Sequence, residues 1–193
     1  MAIATQVTGY TVTASDWNQL VNALNAITLP IKPGEAIAPL SGLQAAALDL
    51  VESSGAGTIK PIIYRMLFDK TTDEGRMWIF RIPDTYVSTP VLKIQYYMTG
   101  ANTTKKINWN VQVACVTDGD ASMTAKVFAA TNAADVTVPD AAGTLDVASV
   151  SIANADNMTA GDWCCLLLWD DASGGTVGQD AAVVGVVLTY SLA

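Results

Sequence analysis

The sequence contains no histidine, and this absence excludes several kinds of chemistry. Without an imidazole there is no Ser-His-Asp or Cys-His nucleophile pair and no histidine general acid or base. Zinc and haem sites that depend on a histidine ligand are excluded for the same reason. The sequence also contains no motif that is typical of a particular enzymatic reaction. We therefore expect a protein that is not an enzyme and that has no cofactor.

Positive charge is also scarce. The 193 residues include 10 Lys and Arg against 18 Asp and Glu, which gives a formal net charge of −8. Phosphate binding needs concentrated Lys and Arg, and the pair Lys105 and Lys106 is too small a basic patch to attract nucleic acid. We therefore expect no nucleic-acid partner.

Long hydrophobic runs are missing, although apolar types make up 51% of the chain. The longest run, residues 181–188, falls far short of the roughly 20 residues that a membrane helix needs. The start of the chain, residues 1–6, has neither the basic nor the apolar region of a secretory signal. We expect no membrane partner, and we expect the apolar excess to serve a core and contacts between subunits.

Cysteine is too rare for a disulfide framework, since there are only 3. Cys164 and Cys165 are adjacent and would point to opposite faces of a strand, and Cys115 lies on the apolar side of an alternating stretch. Buried free thiols in a reducing compartment explain this pattern. The alternative is a reactive or metal-binding thiol, although a low thiol pKa needs a cationic neighbour and few are available.

The composition divides the chain near residue 57. Residues 58–193 have the pattern of strands throughout, whereas residues 1–57 have few charges and only short regular segments. We expect residues 1–57 to form an extended N-terminal arm or anchor, and residues 58–193 to form a separate β-sandwich domain.

The arm contains two helical candidates. The first spans about 14–27, with Thr13 or Ser15 as the N-cap and Pro30 as its end. The second spans residues 41–52, which are rich in Ala and Leu.

The first helical candidate has one apolar stripe. Its residues recur at helical spacing and are Trp17, Leu20, Val21, Leu24 and Ile27. A helix this short cannot bury such a stripe alone, so it must pack on the following domain, on a sister chain or on a different protein. Either of the last two makes the arm an attachment or assembly element.

Eight strands are predicted in the second part of the chain. They span residues 62–68, 77–82, 91–98, 107–115, 123–129, 145–152, 163–169 and 181–190. Turn sequences rich in Asp, Asn and Gly separate most of them. Eight short strands without a crossover helix predict an all-β antiparallel sandwich, and eight is the jelly-roll number.

Two of these strands, residues 163–169 and 181–188, are apolar on both faces. An antiparallel sandwich normally exposes one face of each sheet to water, so we expect a neighbouring subunit or the arm to cover their outer faces. The predicted subunit-interface residues are Trp163, Leu166, Leu168, Val184 and Val186.

Acidic turns offer two candidate calcium sites. Asp118 with Asp120, or Asp170 with Asp171, supplies the oxygen ligands that Ca²⁺ prefers. Neither pair has the spacing of a calcium-binding loop, and Asp-Gly is an ordinary turn sequence. Plain turn residues are therefore the simpler interpretation.

Four aromatic residues are candidates for a sugar-stacking platform. Alternation places Trp78 and Trp109 with other inward apolar residues, which favours core packing. Tyr96 and Tyr97 are adjacent and point in opposite directions, so one of them must face outward or into an interface.

These motifs together resemble a group of small bacteriophage virion proteins with a jelly-roll domain, which serve as head decoration proteins, head fibres or tail-fibre tips. The matching segments are residues 13–21, 68–74, 78–83, 109–113, 118–120 and 160–162 and the strand that ends at Tyr190. Similar chains tend to have a charged pair after the seventh strand, where this chain has Trp169-Asp170-Asp171, so no arginine contact is expected there.

The resemblance implies a homotrimer without enzymatic activity. It implies a virion structural protein, of the capsid decoration, cement or head-fibre type, that trimerises through its sandwich and is assembled in the host cytoplasm. Residues 1–57 would then attach it to the major capsid protein or to another virion protein. The alternative function is a receptor- or carbohydrate-binding tail-fibre module with a host-surface glycan as its partner.

Overall fold

The computed structural model describes residues 26–31, 35–119 and 123–192, and the regular structure in these ranges is almost entirely β. The strands are β1 (Ala26–Ile31), β2 (Gln44–Ala45), β3 (Ala47–Glu52), β4 (Ile62–Phe68), β5 (Glu74–Arg81), β6 (Tyr86–Met98), β7 (Lys106–Val116), β8 (Asn132–Thr137), β9 (Asp146–Ser151), β10 (Trp163–Asp170) and β11 (Ala181–Leu192). One turn of 3₁₀ helix covers Met123–Ala125. None of the helices in the described ranges has the length and apolarity to cross a bilayer.

The strands form two sheets. Sheet A has the order β3-β4-β11-β6-β9, with β1 also paired to β11, and sheet B has the order β2-β5-β10-β7-β8. Within the described ranges the strand pairs are antiparallel except β2 with β5, which is parallel.

Strands β4 to β11 have the connectivity of a jelly roll. Four of them lie in sheet A in the order β4-β11-β6-β9, and the other four lie in sheet B in the order β5-β10-β7-β8. This is the eight-stranded, two-sheet arrangement of paired Greek keys. The predicted all-β antiparallel jelly-roll sandwich is confirmed, and β1, β2 and β3 extend its sheets.

The core lies between the sheets, where the alternating strands direct their apolar residues. Trp109 of β7 is completely buried. Its ring contacts Phe68 edge-on at a centroid distance of 5.2 Å and Tyr96 at 5.8 Å. Such edge-to-face pairs add about 0.5–1.5 kcal/mol to the burial of each ring. Trp78 is also buried, so the core interpretation of both tryptophans is confirmed.

One predicted strand is wrong. Residues 123–129 form no strand, and the fifth strand of the jelly roll is β8, a few residues later. The segment instead runs beside β7, where the Ala129 N–H donates to the Val113 carbonyl at 2.9 Å and Gln112 Nε2 donates to the Ala129 carbonyl at 2.9 Å. The alternation of β8 is hard to detect because this edge strand carries mostly small and polar residues.

The second predicted helix is also wrong. Residues 41–52 contain β2 and β3, and β3 pairs along its whole length with β4. Arg76 donates from Nε to the carbonyl of Ala46, between the two strands, at 2.7 Å. Alanine and leucine favour helices in isolation, but pairing with the open edge of β4 outweighs that small preference.

Most of the first predicted helix lies outside the described residues. Its last two residues, Ala26 and Ile27, belong to β1, which also contains Pro30 and pairs with β11. Proline is tolerated there because, among the described strands, β1 pairs with β11 alone. Since β1, β2 and β3 all pair with strands of the jelly roll, the two sheets include residues on both sides of residue 57.

The outer side of β10 is partly covered by the same chain. Ile37 and Met77 exchange backbone hydrogen bonds of 2.7 and 2.9 Å, which fixes this part of the arm beside β5. Residues 39–43 line a groove together with Leu167 and Trp169 on the outer side of sheet B. Leu167 points outward from β10 but is almost completely buried. Residues of the arm therefore cover part of a strand that is apolar on both sides.

Candidate functional site

The five predicted subunit-interface residues divide between the two sides of their strands. Leu166, Leu168 and Val186 point between the sheets and are completely buried in the core. Such positions are closed to a partner molecule, so these three are core residues. Trp163 and Val184 are half-buried and lie on the outer sides of sheets B and A. A subunit contact stays a prediction for these two.

The predicted packing stripe of the arm falls mainly on residues that the structure does not describe. Trp17, Leu20, Val21 and Leu24 lie outside the described ranges. Ile27 lies in β1, opposite Tyr190 of β11. The attachment role of the stripe stays a prediction.

The structure describes three of the four candidate calcium ligands. Asp118 is exposed in a turn, and Asp120 lies outside the described ranges. Asp171 accepts a hydrogen bond from the backbone N–H of Ser173 at 3.0 Å, whereas Asp170 points inward and is buried. Within the described ranges, no group of three acidic or cysteine side chains is arranged to hold a metal ion. Calcium binding stays an untested alternative to the expectation of no cofactor.

Tyr96 and Tyr97 have opposite environments, as their adjacency predicts. Tyr96 is buried, and its hydroxyl donates to Asp146 Oδ2 at 3.0 Å. Burial, together with this hydrogen bond, raises the pKa of Tyr96 above its usual range. Tyr97 points to the outer side of sheet A and is half-buried. Tyr97 is therefore the member of this pair that an external ligand can reach.

A groove of about 560 Å³ crosses the outer side of sheet A, and we call it the Arg65 groove. Its lining residues are Val51, Glu52, Ser53, Ser54, Ile63, Arg65, Tyr97, Gly143, Leu145 and Val184. Most of the wall is apolar, with a few polar side chains. This composition and volume are typical of small-molecule binding sites, where an apolar surface provides contact and a few polar groups fix orientation.

Three side chains from three strands form a fixed polar cluster on the outer side of sheet A, and two of them, Arg65 and Tyr97, line the groove. Arg65 of β4 donates to Asp49 Oδ2 of β3 from Nε at 3.3 Å and from Nη2 at 2.9 Å. Arg65 Nη1 donates to the Tyr97 hydroxyl of β6 at 3.0 Å. The guanidinium is thus held from two sides, so its orientation is set before any ligand arrives.

The Tyr97 side chain lies across an intervening strand. Ala182 of β11 pairs with Leu67 of β4 on one side and with Tyr97 of β6 on the other. Neighbouring strands are about 4.8 Å apart, so the bond from Tyr97 to Arg65 spans β11. Ala182 points outward but has 0% exposure, which places it beneath this bridge. A small residue is needed there, because a longer side chain would occupy the path of the tyrosine.

A bulge in β11 shapes the floor of the groove. The register of β11 with β6 shifts between Val183 and Gly185, which leaves Val184 without a paired residue on β6. A bulge re-aims the extra side chain and bends its strand. Val184 lines the groove, and it supplies an apolar contact next to the Arg65 cluster.

The cluster carries almost no net charge. Burial opposes the positive charge of Arg65, but hydrogen bonds to Tyr97 and Asp49 outweigh it and raise the pKa of the guanidinium. Arg65 therefore stays protonated and is neutralised by Asp49, which lies 2.9 Å away. The cluster can therefore both donate and accept hydrogen bonds, and it does not selectively attract anions or cations.

Sequence patterns identify only one member of this cluster. The alternation of β6 indicates that one of Tyr96 and Tyr97 faces outward. Asp49 and Arg65 are 16 residues apart, and Arg65 and Tyr97 are 32 residues apart. Asp49 also falls in the segment predicted to be helical, so no local signal joins the three residues.

No protein-family model matches the chain, and no curated protein sequence matches it. Among solved structures it is similar to the C-terminal CBM6 of LamC, a marine laminarinase from Zobellia galactanivorans, with 8% identity, a TM-score of 0.41 and coverage of 84% of this chain and 99% of that chain. The CBM35 from Paenibacillus barcinonensis has 15% identity, a TM-score of 0.42 and coverage of 86% and 99%. The CBM27-1 of Caldicellulosiruptor saccharolyticus, solved in complex with mannohexaose, has 8% identity, a TM-score of 0.41 and coverage of 84% and 96%. Because the sequence identities and TM-scores are this low, the similarity to these structures assigns no function to this chain.

Proposed function

We propose that the protein is a non-catalytic binding module that holds a neutral glycan in the Arg65 groove. The observation that carries this proposal is the Tyr97 side chain lying across β11, fixed by its 3.0 Å hydrogen bond to Arg65. An aromatic ring of this kind provides apolar contact area beside polar groups of fixed position.

The chemistry of a sugar ring matches these groups. A pyranose has C–H groups on its faces, which pack on aromatic and aliphatic side chains, and hydroxyls around its rim. Tyr97, Val184 and Ile63 supply the apolar contacts of the groove. Arg65 lines the groove and donates hydrogen bonds from its guanidinium. The carboxylate of Asp49 beside it accepts hydrogen bonds, so the pair offers both a donor and an acceptor to a sugar hydroxyl.

The charge of the site favours neutral over anionic sugars. Arg65 is neutralised by Asp49, and Glu52 adds an acidic side chain to the lining. The chain as a whole carries a net charge of −8. An acidic or sulfated sugar would therefore be repelled, because no unpaired cation among the described lining residues offsets its negative charge.

A glycan array with matched variants tests this proposal. We expect the wild type to bind one group of neutral glycans and Tyr97→Ala to lose that binding, because the ring and the anchor of Arg65 are both removed. Lys93→Ala is the control, since Lys93 is exposed on the same strand and the same side of sheet A but does not line the groove. Equal glycan binding by wild type and Tyr97→Ala would overturn the proposal.

A second candidate function is structural, as a trimeric bacteriophage virion protein that attaches through its N-terminal arm. The sequence resemblance supports it, and so does the apolar outer side of sheet B. There Ile79 is 52% exposed and Leu40 is 96% exposed. A groove of about 490 Å³ beside them is lined by Trp169 and Phe128. Apolar groups grouped in this way are typical of contacts between subunits.

Light scattering and particle incorporation test the structural candidate. Removing residues 1–25 leaves the described strands in the chain, unlike a deletion of the whole arm, which would remove β1, β2 and β3. The virion function predicts a trimer in solution and loss of particle binding after this shorter deletion. A monomer at micromolar concentration would contradict trimerisation, and unchanged incorporation would contradict the role of the arm.

A further inference from the structure

Two cysteines face each other in the middle of sheet B. Cys115 of β7 and Cys164 of β10 are paired residues on adjacent antiparallel strands. Both side chains point between the sheets, with 2% and 0% exposure. Both are free thiols in this structure. The glycan-binding and virion functions leave this pair unexplained.

The strand geometry brings the two cysteines close. The Cys115 N–H donates to Asp156 Oδ2 at 2.6 Å, and the Val113 carbonyl accepts from Ala129 at 2.9 Å, so these groups point away from β10. Cys115 and Cys164 are thus a pair without mutual backbone hydrogen bonds. The Cα atoms of such pairs are about 4.5 Å apart, which is within the roughly 4.4–6.8 Å that a disulfide spans.

The third cysteine is not part of this pair. Cys165 points to the outer side of sheet B and lies opposite Ala114 of β7. A bond between the adjacent Cys164 and Cys165 would require the strand to give up its alternation. The geometry therefore selects one partner for Cys164.

We propose that Cys115 and Cys164 form a cross-strand disulfide when the chain folds in the presence of a small disulfide oxidant such as oxidised glutathione. One cysteine thiolate attacks the oxidant, which forms a mixed disulfide and releases one glutathione thiolate. The second cysteine thiolate then attacks the protein sulfur of the mixed disulfide and releases the second glutathione. The two cysteines lose two electrons and two protons, and the oxidant is reduced to two glutathione thiols.

The folded protein protects the same pair from oxidation. Its hydrogen bond with Cys115, together with burial, raises the pKa of Cys164 far above its usual range, and the thiolate is the attacking species. The oxidant also has no direct access to two side chains that are buried between the sheets. Disulfide formation therefore belongs to the folding reaction, and the native reduced protein reacts slowly.

The test uses the full chain with Cys165→Ser, so that only the proposed pair can react. The reduced protein is unfolded in denaturant and refolded with oxidised and reduced glutathione, while a native sample is kept in the same buffer. Intact mass and peptide mapping then report the bonds. We expect the refolded chain to lose two hydrogen atoms and to give a linked peptide pair containing Cys115 and Cys164, much faster than the native sample does.

Two results would overturn the proposal. One is a refolded Cys165→Ser chain with a native circular dichroism spectrum that retains both thiols or carries glutathione on them separately. The other is oxidation of the native sample at the same rate as the refolding sample. The variant Cys115→Ala with Cys165→Ser is the control, since its single remaining thiol cannot form the internal bond.

Discussion

Asp170 is predicted to make the stability of the protein fall as the pH rises from about 4 to 7. The side chain lies at the end of β10, points between the sheets and has 1% exposure. Its Oδ1 atom has no hydrogen-bond partner among the described residues. Burial, followed by the negative charges of Asp171 and Asp73, raises the pKa of Asp170 to about 7.

The sign and size of the effect follow from this pKa. A carboxyl group with a pKa of about 4 in the unfolded chain and about 7 in the folded chain holds its proton more tightly when folded. Its contribution to stability is complete below pH 4 and is lost as the pH rises through 7. Each pKa unit between the unfolded and the folded chain corresponds to about 1.4 kcal/mol. The free energy of unfolding therefore falls by roughly 4 kcal/mol over this range.

The assay is urea unfolding at pH 4, 5, 6, 7 and 8, about one unit apart, in the presence of a chelator. Asp170→Asn keeps the shape and removes the titration, so we expect its free energy of unfolding to decline far less over the range and to exceed that of the wild type at pH 8. Asp69→Asn is the control. Hydrogen bonds from the side chain and the backbone N–H of Thr71 lower the pKa of Asp69, so its contribution is lost only as the pH falls below about 4.

Two results would contradict the prediction for Asp170. If the free energy of unfolding of the wild type and of Asp170→Asn falls equally between pH 4 and 7, the responsible proton is not held by the Asp170 side chain. If the wild type becomes more stable as the pH rises over that interval, the sign of the argument is wrong.

Further predictions concern packing and backbone conformation. Leu166→Ala should lower the free energy of unfolding by about 2–5 kcal/mol in urea titrations, because Leu166 is completely buried, whereas Trp163→Ala on the outer side should cost less. An equal cost for both would contradict the separation of core from surface in β10. Gly161→Ala should lower the melting temperature, because Gly161 has a φ of 88° and a Cβ there would lie 3.1 Å from Arg81 Nη2. An unchanged melting temperature would contradict this account of the turn.

The jelly roll could be predicted because its central strands have strong local patterns. The alternation of residues 107–115 defines the inner and outer sides of β7, and the structure buries Trp109 and Val113 as that pattern requires. β10 and β11 are apolar on both sides and occupy inner positions in their sheets. Their long apolar runs make such strands easy to recognise in the sequence.

The edges of the sandwich could not be predicted in the same way. β3 consists of residues that also favour a helix, and β8 has few apolar residues to alternate. These strands are defined by the open edges of β4 and β7, with which they pair. Pairing with a distant strand leaves little trace in the local sequence, so propensity alone gives the wrong answer.

The candidate site shows the same limitation. The outward position of one tyrosine follows from adjacency, but the strand order places β11 between Tyr97 and Arg65. The bridge between them depends on that order and on a small residue, Ala182, beneath it. Neither condition can be seen before the strands are assigned to their sheets.

Calorimetric titration of a neutral oligosaccharide, chosen from the array, into wild type and variants shows whether the Arg65 groove binds glycans. We expect saturable binding by wild type and Lys93→Ala, retention of part of the affinity by Tyr97→Phe, and a loss of about tenfold or more in Tyr97→Ala. The ring contacts and the orientation of Arg65 both depend on Tyr97. Binding of equal strength by wild type and Tyr97→Ala, or no neutral glycan bound by the wild type, would contradict glycan binding in the Arg65 groove.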